Sequence, residues 1–169
     1  MANLDLDAID RKIIAALQVD GRLTNVELAE HIGLSPSPCL RRVKRLERHG
    51  YIDAYRAVLR RGRVGLGLTA FIGVKIKAHA NDRAEAFEEA IVAMPEVVAC
   101  HLVAGDVDYL LEVVVPDLEH YQRYLVNKLL KISIIREVRS NIAIQVLKAG
   151  APLPLDHLAP TRMGRPNDK

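Results

Sequence analysis

Thr24, Gly33 and Ser35 punctuate the chain as a helix start, a helix stop and a second helix start, and few folds accept two helices joined so closely. Thr24-Asn25-Val26-Glu27 reads as a capping box, in which the Thr24 hydroxyl and the Glu27 carboxylate each satisfy a free backbone N–H. Val26, Leu28, Ala29 and Ile32 supply the apolar side of that helix, and Gly33 closes it with a residue that tolerates positive φ. Ser35 is a good N-cap for the next helix, and Pro36 suits its first position, where a missing N–H is not needed. Upstream, Asp7 caps a helix running to about Gln18 on an Ile9, Ile13, Leu17 stripe, ended by Asp20-Gly21. Such a set of helices, with a tight turn between the second and third, is a helix-turn-helix.

The third helix, Ser35 to Arg48, has two unlike faces. Leu40, Val43 and Leu46, with Cys39, follow the spacing of a buried stripe, whereas Ser37, Arg41, Lys44 and Arg48 fall opposite, and Arg42 and Arg45 widen that basic side. A lone basic helix face is ordinarily just solvated. Here the capped pair in front places it in the recognition position, and the charge distribution agrees. Residues 1–65 carry 12 Lys/Arg against 8 Asp/Glu, a net +4, while residues 66–150 carry 9 against 11, a net −2, and the remaining tail 3 against 2. That asymmetry points to a nucleic-acid-facing domain joined to one with another task.

Tyr51 to Leu59 changes to β-type composition and predicts a small wing strand or pair. Arg60 to Gly67, with its glycines and arginines, predicts a linker whose arginines could also meet phosphates. Beyond it the pattern gives a strand over Phe71–Lys77 and a helix over Asp82–Met94 with Ala84, Phe87, Ile91 and Met94 inward. Strands over Val97–Ala104 and Tyr109–Val115 follow, then a helix opened by Pro116-Asp117 with Leu118, Tyr121, Leu125 and Leu129 inward, and a last strand over Val138–Leu147. The fold class is therefore α+β, a winged helix-turn-helix followed by a ferredoxin-like βαββαβ domain, with both helices on one face of an antiparallel sheet. The expected limits are 1–59 for the DNA-binding domain, 60–68 for the linker, 69–150 for the βαββαβ domain and 151–169 for a C-terminal tail. Cover for the other sheet face predicts a homodimer. The leucines of residues 151–158 are enough to pack on the body or a neighbour, and the sequence beyond Pro160 reads as disordered.

At 169 residues and 50% hydrophobic, the chain has material for one domain or two small ones. It has no membrane-length apolar run and no basic-then-apolar leader, so a cytoplasmic protein is expected, with no membrane partner. Cys39 and Cys100 sit in apolar patterns and read as buried thiols, with no metal site. His31, His49, His79, His101, His120 and His157 are scattered, with no glycine-rich phosphate loop and no nucleophile motif, so no enzyme is expected and no cofactor beyond a small effector.

The stretches LDAIDRKIIAALQVDGR, NVELAEHIGLSPSPCLRRVKRLERHGYI and CHLVAGDVDYLLEVVVPDLEHY resemble the Lrp/AsnC (leucine-responsive/asparagine-regulator) family of transcription factors, over roughly residues 5–150. The resemblance implies a winged helix-turn-helix that binds double-stranded DNA and a ferredoxin-like effector domain that builds dimers, often assembled into octamers. Its effector is usually an amino acid, with leucine or methionine as the candidates here. It places the third helix in the major groove, with Ser35, Ser37, Pro38, Arg41, Arg42, Lys44, Arg45 and Arg48 as DNA-binding residues. Gly105, Asp106, Asp108 and Tyr109 match the family's hairpin motif at an intersubunit pocket, and Ser140 keeps a hydroxyl nearby. A glycine turn can receive a carboxylate and an aspartate an α-ammonium group, although Gly-Asp-Val-Asp alone would be only a hairpin turn. Ile132-Ser133-Ile134-Ile135 replaces the Leu-Pro-Gly-Val of many members and Val138 a common threonine, which predicts a reshaped loop near the pocket. The expected function is a transcriptional regulator whose effector shifts assembly or the spacing of DNA-binding domains. The alternative is an architectural, chromatin-like DNA-binding protein with little or no effector response.

Overall fold

The computed structural model of the protein describes residues 6–77 and 81–158, so the expectation of disorder beyond Pro160 lies outside the described residues. The chain divides into two compact units, one formed by residues 1–58 together with 148–169 and the other by residues 59–147.

The first unit holds α1 (Ala8–Val19), α2 (Asn25–Ile32) and α3 (Pro36–Arg48) around Ile13, Leu28, Ala29, Ile32, Cys39 and Leu46. Local chemistry sets the starts. Asp7 Oδ1 accepts the N–H groups of Ile9 at 2.9 Å and Asp10 at 2.8 Å, and Asp10 Oδ2 accepts the Asp7 N–H at 3.3 Å, a reciprocal cap. The Thr24–Glu27 box forms as expected, and Gly33 at φ 76° ends α2 while Leu34 N–H reaches back to Ala29 O at 2.8 Å.

Three local expectations are corrected. Ser35 occupies the N-cap of α3, but its side chain makes no cap hydrogen bond. Pro38, at the third helical position, has no N–H and so removes one of the two donors such a cap serves, leaving only that of Ser37. Leu40 and Val26 are exposed: each lies at least 100° around its helix from the core residues Cys39 and Leu28. Tyr51–Leu59 forms no strand; it is irregular, exposed from Asp53 onward, because among the described residues of this unit no strand lies alongside to take its backbone N–H and C=O groups. The Tyr55 hydroxyl anchors it by donating to Glu47 Oε1 at 3.1 Å.

The second unit runs β1 (Leu68–Ile76), α4 (Asn81–Val92), β2 (Val97–Leu102), β3 (Tyr109–Val115), α5 (Leu118–Asn127) and β4 (Ile135–Ile142). Its sheet is antiparallel in the order β2-β3-β1-β4, the ferredoxin-like arrangement. Ala70, Ile72 and Val74 of β1 and Leu111 and Val113 of β3 meet Phe87 and Ile91 of α4 and Tyr121 and Tyr124 of α5 on one face. The other face presents Phe71 between Glu112 and Asn141.

Here too the pattern needed correction. β4 begins three residues before Val138 and ends five before Leu147, leaving Ile144, Val146 and Leu147 exposed. Its partner sets that end: Ala70 pairs with Ile142, the Ala143 N–H still reaches Thr69 O at 2.9 Å, and β1 has only Leu68 left beyond. β2 likewise stops at Leu102 instead of Ala104. Leu118 is exposed, because it directly follows the Asp117 cap, and Tyr124 faces the core with Tyr121 instead. In the linker region a 3-10 turn covers Arg61–Val64, and Arg61 donates to Thr69 Oγ1 at 3.1 Å and pairs with Glu112 at 2.8 Å, which engages that arginine within the second unit.

Candidate nucleic-acid interface and effector site

The expected DNA-binding residues all lie on α3 or at its cap, but they fall into two groups. Arg42 Nη1 lies 2.8 Å from Asp10 Oδ1 and 2.7 Å from Asp7 Oδ2, and Arg45 Nη2 lies 2.6 Å from Asp10 Oδ2. Asp10 is fully buried, so its charge would be costly without these partners. Asp7 sits below the usual carboxylate range, first because it accepts the Asp10 N–H and further because Arg42 lies beside it. Arg42 and Arg45 are thus braces between α3 and the head of α1.

Ser37, Arg41, Lys44 and Arg48 are exposed, and among the described residues none of these cations is in an ion pair. Spaced at 37, 41, 44 and 48, they form one stripe about three turns long. Ser35 is exposed beside that stripe with its hydroxyl free of capping, and Pro38 is half-buried. Pro36 O accepts from Asn25 Nδ2 at 2.8 Å, which fixes the start of α3 against α2. A stripe of this kind, on a helix held from behind, can enter a major groove and meet base edges and phosphates.

The expected effector residues are only partly brought together. Gly105, at φ 152°, and Asp106 are exposed at the tip of the β2–β3 hairpin. Asp108 shapes that hairpin: its carbonyl accepts the Val103 N–H at 2.9 Å, and its Oδ2 accepts the Ile76 N–H at 2.8 Å, at the irregularity between Lys75 and Ile76. Tyr109 is 3% exposed, its ring tilted against Phe87 with centroids 4.7 Å apart, and its hydroxyl donates to Glu88 Oε1 at 2.9 Å. Burial and then the Glu88 carboxylate push its pKa up to about 12. Ser140 lies on β4, separated from β3 by β1, and its Oγ accepts from the Tyr121 hydroxyl.

A separate pocket of about 420 Å³ lies near the far end of β3, lined in part by Glu96, Pro116, Arg123 and Tyr124, with none of the hairpin residues in its wall. Cys39 and Cys100 are free thiols whose pKa values burial pushes up, which suits packing better than nucleophilic chemistry. Among the described residues no three His, Cys, Asp or Glu side chains gather as a metal site would require, and no helix is long and apolar enough to cross a membrane.

Sequence reasoning missed the Asp7–Asp10 brace and the Glu88–Tyr109 bond. The first left a trace, an Asp-x-x-Asp at the head of one helix facing an arginine-rich helix; the second left none.

Two families match the chain: "Winged helix-turn-helix DNA-binding" over residues 6–53 and "Lrp/AsnC ligand binding domain" over residues 69–153. The leucine-responsive regulatory proteins of Escherichia coli K12 and Klebsiella pneumoniae are each 42% identical over 144 residues, covering 85% of this chain and 88% of theirs. Among solved structures, a Neisseria meningitidis transcriptional regulator in complex with L-Met is similar at TM-score 0.87 and 42% identity, over 90% of this chain and 99% of that one. An AsnC family transcriptional regulator from Agrobacterium tumefaciens is similar at TM-score 0.85 and 38% identity, over 89% and 98%.

Proposed function

The chain belongs to the Lrp/AsnC family of transcriptional regulators, and from that membership we propose that it reads DNA through the outer stripe of α3 and answers to a small amino acid, with methionine and leucine the first candidates. It is a DNA-binding regulator and not an enzyme. The observation that carries the proposed reading is the division of charge on α3: Arg42 and Arg45 brace the fold, while Ser37, Arg41, Lys44 and Arg48 are left outward. The architectural alternative is not favoured, because residues 69–153 match a ligand binding domain.

For the effector, the Gly105-Asp106 tip is the exposed part, and Asp108 and Tyr109 hold its shape. A carboxylate on the turn's N–H groups and an ammonium on Asp106 would use the two chemistries a zwitterion offers. The rest of that site comes from a second copy. Support for a dimer is the sheet face opposite α4 and α5, where Phe71 is 40% exposed, and an octamer is the larger assembly such dimers build. The working compartment is the cytoplasm, at the nucleoid.

The test is operator binding by Arg41→Ala and Arg42→Ala side by side. Arg41→Ala should weaken binding by about 1–3 kcal/mol and lower the salt slope by about one unit, with stability unchanged. Arg42→Ala should chiefly lower stability. The reverse pattern would refute the division. A thermal-shift panel of the twenty amino acids tests the effector: a true one, at about 100 times its Kd, adds about 2.7 kcal/mol.

A further inference from the structure

A groove of about 680 Å³ along α1 brings Ile14, Leu17, Tyr51 and Ile52 together with Leu155 and Leu158 from the opposite end of the chain. The meeting is specific. Gln18 Oε1 accepts the Leu153 N–H at 2.7 Å while Gln18 Nε2 donates to the Leu153 carbonyl at 3.3 Å, so one amide side chain engages both backbone groups of one residue. About two turns back along α1, Arg11 donates to the Leu158 carbonyl, and the segment therefore runs antiparallel to the helix.

The segment is shaped for that track. Pro152 and Pro154 bracket Leu153 and hold it extended, which lowers the entropy lost on docking, and the N–H that Pro154 lacks is not one Gln18 uses. The Leu158 N–H then closes on Leu155 O at 3.0 Å, a 3-10 turn over Asp156–Leu158. Leu155 and Leu158 are half-buried, whereas the Leu153 side chain is 72% exposed: Leu153 is held by its backbone and the other two by their side chains. The matched ligand binding domain ends at residue 153, so Leu155 and Leu158 lie beyond the matched residues.

The chain passes between its two units twice, at 58–59 and at 147–148. With residues 153–158 free, the linker after Val58 would be the only attachment of the DNA-binding unit. We propose that Leu153–Leu158 is a docking segment, that its receptor is the α1 groove of the same chain, and that docking makes β4 a second attachment point for the DNA-binding unit.

Hydrogen–deuterium exchange on the full chain tests this. The Leu153 and Leu158 amides should exchange at least about tenfold more slowly than in a free peptide of residues 151–158. Gln18→Ala should abolish the protection of Leu153 while leaving the amides of α2 and β3 unchanged. A chain stopped after Gly150 should exchange faster along α1 and residues 51–58, and adding the 151–158 peptide should reverse that. Should the shortened chain fail to fold, the full chain and Gln18→Ala still decide. Free-peptide rates at both amides in the full chain overturn docking. Mixing Gln18→Ala with the shortened chain, which offers an intact groove without a tail, separates same-chain from exchanged docking: restored Leu153 protection at dilute concentration gives the groove to a second copy's tail and overturns the same-chain assignment.

Discussion

Asp10→Ala should cost the DNA-binding unit about 3 kcal/mol, a large fraction of what a small domain has to lose. The carboxylate is completely buried and accepts from Arg42 at 2.8 Å, Arg45 at 2.6 Å and the Asp7 N–H at 3.3 Å. Breaking one partner of a buried ion pair costs about 3–5 kcal/mol. That range falls by about a third here, since the two arginine side chains are 25% and 38% exposed and regain water when freed. Losing the return bond from the Asp7 N–H adds back about 1 kcal/mol. Arg45 Nε, already buried without a partner, would then sit beside an empty site. Asp10→Asn, which keeps one acceptor but turns an NH2 toward a guanidinium, should cost about 2 kcal/mol. Urea unfolding followed by NMR through the Ile13 and Leu28 methyls isolates this unit. With a slope of about 1 kcal/mol per molar, the alanine variant's midpoint should fall by about 3 M. In a double-mutant cycle Asp10→Ala and Arg42→Ala should be less than additive by at least about 1 kcal/mol. A loss below about 0.5 kcal/mol, or simple additivity, would show that the buried carboxylate is not what joins α1 to α3.

Further consequences can be checked directly. The helix-capping carboxylates Asp7, Glu27 and Asp117 are all held low, chiefly by the N–H groups of Asp10, Thr24 and His120 respectively. Their contribution is present above the ordinary carboxylate pKa of about 4 and is lost as pH falls through the lower native values, so Tm should hold from pH 7 to about 5 and drop below about 4. A Tm unchanged down to about pH 3 counts against it. At the alkaline end buried Tyr109 and the partly covered Tyr55 are pushed up to about 12, by loss of water first and by Glu88 and Glu47 next. The stability they lend is present below the free phenol value near 10 and fades as pH rises through about 12, and absorbance titration should show them ionising late. Gly73→Ala would bring a Cβ within 2.9 Å of Val107 Cγ1, a strain of about 1–2 kcal/mol that Val107→Ala should relieve. Equal losses in the single and double variants would refute the contact.

What was legible in the sequence was whatever depends on near neighbours. The Asp7 and Thr24 caps act across three residues, Gly33 ends a helix by its own backbone freedom, and β3 is bounded by the hairpin on one side and Pro116 on the other. What was not legible depends on partners far along the chain. Arg42 and Arg45 look alike to Arg41 in sequence, and only carboxylates 32 and 35 residues away distinguish them. The alternation of Ile142, Ile144 and Val146 is a good strand pattern, but a strand ends where its neighbour does, and β1 supplies none beyond Leu68. The strand expected at Tyr51–Leu59 is missing for the same reason: the stretch has the composition of a strand, but among the described residues of its unit there is no ladder to join. At the hairpin, Tyr109 and Ser140 carry hydroxyls that the fold already binds through Glu88 and Tyr121, a commitment that residue type cannot reveal.

The brace behind α3 also bears on how such a protein can change over generations. On the proposed reading of α3, positions 41, 44 and 48 can be exchanged while the partners of the buried carboxylate stay in place, so a lineage could retarget its regulon without first finding a new way to hold three helices together.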